Sequence, residues 1–181
     1  MNKAIVFTMF FCFAAVQCQG IDKYSLSLKG TVDWFANRFE EGVELNAFSN
    51  TYVYTIGYYF GEDYELWVSP SEKYKQFNLL FGKYIDSENQ KFRIQYQAGI
   101  GVFWGIFRTN KYDRENSGFI LSNAYFTEKI NKSLAIPLKI GGRYLPFKFL
   151  SIGIDIQANI NKDKTIMRPM LSIAFGKLRN K

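Results

Sequence analysis

The sequence predicts an all-β fold: an eight-stranded antiparallel up-and-down transmembrane β-barrel that is inside out, with a polar lumen. Three observations predict it. Aromatic residues make up 18% of the 181 residues while proline occurs only 4 times, a composition typical of long strands. Apolar and polar residues alternate along much of the chain, which is the two-residue period of a strand with two different faces. The polar faces carry charges of both signs, too many for a dry core.

The first 18 residues are predicted to be a secretory signal peptide and residues 19–181 one barrel domain. Lys3 precedes a largely apolar run over residues 4–16, and the chain then becomes smaller and more polar. Such a run rises only about 20 Å as a helix, which is short of the roughly 30 Å hydrocarbon core, so a permanent helical anchor is less favoured. We therefore expect the chain to be exported.

Both cysteines, Cys12 and Cys18, lie inside this leader, so cleavage after Cys18 leaves a mature chain without disulfides. The alternative is that Cys18 is itself the first mature residue and carries lipid, although Gln17 is a poor match to the small residue that such processing prefers. Without Lys3 the chain has 22 Lys and Arg against 16 Asp and Glu, a net charge of +6. This surplus suits anionic lipid or polysaccharide, and nucleic acid is not expected as a partner of an exported chain.

The clearest alternation begins at Leu150, where Ile152, Ile154 and Ile156 share one face and Asp155 lies on the other. The same pattern predicts the remaining seven strands near residues 24–34, 50–60, 64–69, 77–81, 92–107, 134–144 and 167–175. An even count of strands brings both termini to the same end of a barrel. No apolar stretch after the leader is longer than the 10 residues 98–107, so no transmembrane helix is predicted.

The connections between these strands are predicted to differ in length. Tight turns are expected at residues 61–62, 86–89 and 146–148, and long polar loops at residues 36–48 and 109–131. With periplasmic termini, all three tight turns fall on the periplasmic side and both long loops outside, as in outer-membrane barrels. Within the second loop, residues 117–129 are interpreted either as an extension of the strands above the membrane or as a small external hairpin.

Strand length favours an outward apolar face. Several predicted strands span 11 or more residues, whereas soluble strands usually have 5 to 6 and a membrane strand needs about 9 to 11. Charges on the opposite face can then pair across a narrow lumen, and glycines at positions 99, 101, 105, 153 and 176 on that face leave them room. The predicted lumen charges are Lys29, Asp33, Glu65, Arg93, Lys139, Arg143, Asp155 and Arg168.

Aromatic residues near the strand ends are predicted to form two girdles at the membrane interfaces. They are Tyr24, Trp34, Tyr52, Phe60, Tyr64, Phe92, Tyr144 and Phe175. The alternation also fits an exported soluble barrel of lipocalin type, whose apolar faces would point inward and bind a small apolar ligand. The two hypotheses place the isoleucine-rich faces on opposite sides of the wall.

Three segments carry a resemblance to a known family: GYYF at residues 57–60, GRYLPFKFL at residues 142–150 and FGKLR at residues 175–179. Together with the strand pattern, they make the chain similar to the small outer-membrane β-barrels of Gram-negative bacteria, in particular to members of unassigned function. The resemblance implies a place in the outer membrane, with membrane lipid and the barrel-assembly machinery as partners. The chain departs from the family's pattern at its end, because a basic tail from Gly176 to Lys181 follows the last aromatic residue, Phe175.

The residues argue against catalysis. Histidine is absent, which removes the commonest general base and disfavours the His-dependent enzymes of this architecture. The glycines at positions 99, 101 and 105 lie on one face of a single strand and are interpreted as packing residues. Asp33, Glu65 and Asp155 could share the lumen and act as paired catalytic carboxylates in a His-independent lipid-modifying enzyme. Ion pairing with the lumen arginines and lysines is the favoured role for these three residues. We therefore predict no catalytic, metal-binding or cofactor-binding residue and no cofactor.

An eight-stranded barrel is just wide enough for side chains to fill its interior, so no bulk solute flow is expected. The sequence thus predicts a non-enzymatic envelope protein with a structural or surface-recognition role. Its outer loops, which carry mixed charge and a few aromatic residues, would contact protein or glycan. No individual binding residue is identified from the sequence.

Overall fold

The computed structural model describes residues 20–33, 38–63, 68–69, 71–112, 124–162 and 165–179. The predicted signal peptide lies outside these residues. The described chain forms nine strands: β1 Lys23–Asp33, β2 Arg38–Ser49, β3 Tyr52–Asp63, β4 Val68–Ser69, β5 Lys73–Asp86, β6 Phe92–Tyr112, β7 Ala124–Tyr144, β8 Leu150–Asn161 and β9 Ile166–Lys177. Within these ranges no helix is long and apolar enough to cross a membrane.

Eight of the strands close into a barrel, which confirms the predicted fold class. Each of β1, β2, β3, β5, β6, β7, β8 and β9 pairs antiparallel with the next. The ring closes between β1 and β9, from Tyr24 opposite Lys177 to Gly30 opposite Leu171. The short β4 lies outside the ring and runs parallel to the start of β7. Closure leaves the eight barrel strands with no free edge.

One of the predicted loops is a strand. Residues 36–48 were expected to form a long polar loop, but Arg38–Ser49 is β2 and pairs along its length with β1 and β3. Its outward row includes Phe39, Val43 and Leu45, and its inward row includes Glu40 and Glu44. Glu41 also faces outward and interrupts the apolar row. Three glutamates, Glu40, Glu41 and Glu44, therefore fall within five residues, a density of charge that is typical of a solvated loop. The prediction failed because inward charges look like loop charges until their partners across the lumen are known.

The segment over residues 64–69 is not the barrel strand that was predicted, because β3 pairs directly with β5. Val68–Ser69 is a strand outside the barrel, and residues 64–67 lie outside the described chain. The tight turn expected at residues 61–62 does not exist, because Gly61 and Glu62 pair with β5 inside the ladder. The predicted count of eight is right because the missed β2 and this misassigned strand offset each other.

Three connections of two to five residues lie at the barrel end that holds the described termini, which we call the turn end; the two longest separations between consecutive barrel strands, residues 64–72 and 113–123, lie at the opposite end, which we call the loop end. Two of them contain the predicted turns at residues 86–89 and 146–148, and the third is Asn50 and Thr51 between β2 and β3. Asn50 adopts a φ of 53°, a left-handed conformation that asparagine tolerates better than most residues. At the loop end, β6 and β7 extend into the predicted loop 109–131. The strand-extension interpretation is therefore right for residues 124–129, and residues 113–123 lie outside the described chain.

The apolar faces point outward, as predicted. Ile154 is 57% exposed, whereas its neighbour Asp155 is completely buried inside the barrel. The same alternation holds along the described strands, with isoleucine, leucine and aromatic side chains outside and charged or amide side chains inside. The lipocalin-type alternative requires the opposite arrangement of the two faces. The fold is thus inside out relative to a soluble barrel.

Five of the eight aromatic residues predicted to form two girdles lie on the outer surface of the turn end. Phe92 packs on Tyr144 with ring centroids 5.2 Å apart, and Tyr52 stacks on Phe81 at 5.5 Å. The predicted residues that are exposed in this region are Tyr24, Tyr52, Phe92, Tyr144 and Phe175. Phe60 lies half-buried toward the loop end. Trp34 and Tyr64 lie outside the described chain.

Candidate functional site

A network of charges fills the middle of the lumen. Lys29 of β1 places its Nζ 2.6 Å from Glu44 Oε1 of β2 and 2.5 Å from Asp155 Oδ2 of β8. Lys139 Nζ of β7 lies 3.0 Å from both oxygens of Glu44, and Arg143 Nη2 lies 2.7 Å from Asp155 Oδ2. Buried charges are tolerated only when they are paired and hydrogen-bonded. Four strands therefore meet through one connected set of ion pairs.

Two neutral side chains, Tyr59 and Ser172, also take part in this network. The Tyr59 hydroxyl donates to Glu44 Oε1, and Arg143 donates through Nη1 to the Ser172 hydroxyl. The side chains of Lys29, Glu44, Lys139 and Asp155 have no solvent exposure. Complete desolvation makes each ion pair strong but makes an unpaired member costly.

Sequence reasoning assigned part of this network correctly. Lys29, Lys139, Arg143 and Asp155 were predicted to lie in the lumen, and the partners of Asp155 prove to be Lys29 and Arg143. Glu44, which holds two lysines, was missed because its strand was interpreted as a loop. The alternation of Phe39, Val43 and Leu45 with inward charges was the signal that could have identified it.

A second cluster centres on Arg168 of β9. Its Nη1 donates to the Tyr74 hydroxyl at 2.6 Å and its Nη2 to Gln76 Oε1 at 3.1 Å, while Nε lies 3.2 Å from Glu40 Oε2. The guanidinium also lies over the Tyr59 ring, 5.1 Å from its centroid, a favourable cation–π arrangement. Tyr74, Phe103, Phe107, Ala135 and Ile166 then form an apolar cluster toward the loop end.

A third cluster closes the turn end. The Arg93 guanidinium lies 4.6 Å from the ring centroids of both Phe48 and Tyr84. Its Nε lies 2.6 Å from Asp86 Oδ1, and its Nη2 donates to the Leu178 carbonyl at 2.9 Å. Arg93 is thus a lumen residue, as predicted, but its carboxylate partner is Asp86. Leu178 is fixed in the barrel mouth by this contact.

Side chains fill the described lumen from the turn end to the loop end. A cavity of about 10 Å³ lies between the first and third clusters, beside Ser25, Asn46, Ser151 and Arg143. A volume of this size holds about one water molecule. This packing agrees with the narrow interior expected of eight strands.

Several solved structures of outer-membrane barrels have the same architecture as this chain. No sequence profile of a known family matches the chain, and no curated protein matches it in sequence. The N-terminal β-barrel domain of Pseudomonas aeruginosa OprF aligns with a TM-score of 0.61 at 13% identity, covering 87% of this chain and 99% of that one. The chain has the fold of the small outer-membrane β-barrels. The resemblance noted in the sequence is confirmed at the level of the fold.

Two further structures share the outer-membrane barrel fold. Neisserial surface protein A aligns with a TM-score of 0.56 at 10% identity, covering 87% of this chain and 95% of that one. Ail, the attachment invasion locus protein of Yersinia pestis, aligns with a TM-score of 0.55 at 11% identity, covering 87% and 98%. A second structure of Ail, in complex with the heparin analogue sucrose octasulfate, also aligns with this chain, with a TM-score of 0.55 at 12% identity. At identities of 10–13%, these alignments show that the fold is shared.

Of the three carboxylates predicted to share the lumen, Asp155 is the one whose side chain the structure describes. Glu65 and the side chain of Asp33 lie outside the described structure. Among the described residues, Glu44 is the acid that neighbours Asp155. Both carboxylates are held by cations and are inaccessible from either surface. A general acid or base must lie within hydrogen-bond reach of its substrate. The positions of Glu44 and Asp155 therefore suit ion pairing within the lumen.

The loop end carries ion pairs between described residues of several strands. Arg108 Nη2 lies 2.6 Å from Asp63 Oδ2, and Arg38 Nη2 lies 3.0 Å from Glu72 Oε2. The β6 and β7 strands, each of 21 residues, project farther than the others, and β4 adds to the start of β7. The loop end therefore offers an extended, polar hairpin stem above the lumen.

Proposed function

We propose that the chain is an integral outer-membrane protein that acts without catalysis, as a lipid-embedded platform for contacts at its loop end. The observation that carries this proposal is a closed wall with an apolar outer surface around a filled, charged interior. Isoleucine and leucine side chains are exposed around the outside of the barrel. A continuous apolar surface of this kind would cause aggregation in water and is stable in contact with lipid. Among the described residues, the paired interior offers neither a channel nor an accessible acid–base group.

The height of the apolar wall supports membrane insertion. On β6 the outward residues from Ile94 to Val102 are uncharged, and Phe92 and Trp104 bracket them. Twelve residues tilted by about 35–45° span about 30 Å along the barrel axis. The apolar band of known outer-membrane barrels is about 25 Å tall and is flanked by aromatic residues. The wall therefore matches a bilayer with Phe92 near one interface and Trp104 near the other.

The export route belongs to the same proposal. Residues 1–18 would direct secretion and be removed, and the barrel-assembly machinery would insert residues 19–181 with the turn end in the periplasm. Both long separations between barrel strands, residues 64–72 and 113–123, lie at the loop end. This supports the orientation, because the longer connections of outer-membrane barrels are extracellular and the periplasmic turns are short. The loop end would then face outward and perform envelope or surface recognition.

Protein or glycan is the proposed partner class at the loop end. The complex of Ail with a heparin analogue supports an anionic glycan as one form of such a partner, since that barrel is similar in fold. The net charge of +6 on residues 19–181 supports the same class. Binding of a sulfated glycan to whole cells that express the chain would test this assignment directly.

Cell fractionation tests membrane insertion. The full chain, expressed in a Gram-negative host, should stay in the membrane pellet after carbonate and high-salt washes. It should also migrate faster on a denaturing gel before boiling than after, a behaviour typical of folded membrane barrels. Recovery of unlipidated protein in the soluble periplasm would contradict the proposal.

Labelling of single cysteines tests the orientation of the two faces. Residues 19–181 contain no cysteine, so Ile154→Cys and Asp155→Cys each introduce one reporter. In vesicles, a lipid-soluble maleimide should label Ile154→Cys and not Asp155→Cys. Free reaction of Asp155→Cys with a membrane-impermeant reagent in lipid-free protein would instead favour the lipocalin-type alternative.

A further inference from the structure

Two lysines flank a tryptophan on the outer wall near the loop end. Lys75 of β5 lies opposite Trp104 of β6, and Trp104 lies opposite Lys132 of β7. All three side chains point outward, with both lysines exposed and the indole half-buried. Neighbouring strands are about 4.8 Å apart, so the two lysine Cα atoms are about 10 Å apart. Their long, flexible side chains can bring both ammonium groups to one anion above the indole. We call these three residues the lysine–tryptophan row.

The two cations of this row have no ionic partner within the described part of the chain. Lys75 and Lys132 make no ion pair with a described residue, whereas the next outward lysine on β5, Lys73, lies 2.5 Å from Glu62 Oε1. The outward carboxylate at the same register, Glu41, is two strands away from Lys75 through Phe60. An external anion would therefore find two ammonium groups that are not already neutralised.

The surroundings of the row are apolar on the side of the membrane. Directly toward the turn end, the outward neighbours on the same three strands are Phe77, Val102 and Leu134. Lys75 and Lys132 thus lie at the level where the uncharged outward rows of β6 and β7 end, about 30 Å above the aromatic girdle at Phe92. Tryptophan and lysine favour this interfacial level because each combines an apolar body with a polar tip.

We propose that the lysine–tryptophan row binds the phosphate group of an anionic membrane lipid in the leaflet at the loop end. This inference rests on the membrane insertion proposed above. Ammonium groups form strong, charge-assisted hydrogen bonds with phosphate. The indole would support the headgroup, and the acyl chains would lie along Phe77, Val102 and Leu134. A soluble anion lacks the chains that these three residues contact, so lipid is the occupant that fits both parts of the surface.

Lipid retention measures this binding. The protein is refolded into phosphatidylcholine vesicles that contain a minor fraction of diphosphorylated lipid A, extracted gently, and analysed by native mass spectrometry for bound lipid A. Replacing both lysines, Lys75→Gln with Lys132→Gln, should reduce the retained lipid A about tenfold, because two charge-assisted hydrogen bonds are lost. The Lys75→Arg, Lys132→Arg variant should retain lipid A because it keeps both charges.

Lys83→Gln is the matched control, since Lys83 is an outward lysine on the same strand nearer the turn end and lies 5.4 Å from the Tyr52 ring centroid. It should retain lipid A as the wild type does. Retention by the double glutamine variant equal to that of the wild type would overturn the proposal, as would an equal loss in Lys83→Gln. Displacement of lipid A by free inorganic phosphate at similar concentration would also overturn it, because the acyl chains would then contribute nothing.

Two measurements separate failure of this inference from failure of the proposed function. Heat-modifiable migration shows whether each variant has inserted and folded, independently of lipid A. Wild-type protein that inserts but retains lipid A no better than phosphatidylcholine refutes the binding site alone. Protein that does not insert refutes membrane insertion. Where the double variant does not fold, the single variants Lys75→Gln and Lys132→Gln each should show a partial loss, and retention unchanged in both would refute the site.

Discussion

Removing the Glu44 carboxylate should be among the most damaging single changes inside the barrel. Glu44→Ala leaves Lys139 without the two oxygens that lie 3.0 Å from its Nζ, and it leaves Lys29 with Asp155 alone. Three buried cations would then share one carboxylate. Breaking a buried ion pair by removing one partner costs about 3–5 kcal/mol, because the remaining charge stays desolvated. We expect the free energy of unfolding to fall by that amount.

Urea-induced unfolding in lipid vesicles, followed by tryptophan fluorescence and gel mobility, gives this free energy. Glu41→Ala is the matched control, because Glu41 lies on the same strand and faces outward. An exposed substitution of this kind should change stability by less than about 0.5 kcal/mol.

A double-mutant cycle tests the cause of the loss. Because Lys139→Met removes the cation that Glu44→Ala would orphan, the double variant should be more stable than the sum of the two single losses implies, with a coupling of about 0.5–3 kcal/mol. Additive losses, or a Glu44→Ala protein within about 1 kcal/mol of wild type, would refute the view that this network is desolvated and paired.

Three further predictions use the same unfolding assay. Leu138→Arg, six residues from both Tyr144 and Lys132 on the outer face of β7, should cost about 2–4 kcal/mol near the bilayer midplane, and stability equal to wild type would contradict the outward assignment. Gly42→Ala should cost about 1–3 kcal/mol because its Cβ would lie 2.4 Å from Tyr59 Cδ1, whereas Gly142→Ala, with nothing within 4 Å, should be near neutral. Asp155→Ala and Arg143→Ala should be coupled by about 0.5–3 kcal/mol, and independence would show that their 2.7 Å contact is not a working ion pair.

The direction of each side chain could be predicted from sequence for most of the barrel. In β8, the alternation of Ile152, Ile154 and Ile156 with Asp155 is a local property, since successive residues of a strand always point to opposite faces. Strand length and charges of both signs then decided that the apolar face is the outer one. The structure confirms this assignment on every described strand that was recognised.

Only the closed barrel decided which residues meet inside it. Asp155 was predicted to have a cationic partner, but five candidates were equivalent in sequence, because the opposing residue depends on register around the whole ring. Glu44 shows the same limit more strongly. Its strand was interpreted as a loop, since a row of inward charges is stable in a wall only when Lys29 and Lys139 arrive from β1 and β7 to neutralise it. Alternation along one strand is encoded locally, whereas the pairing of buried charges exists only after strands far apart in the chain have closed into a ring.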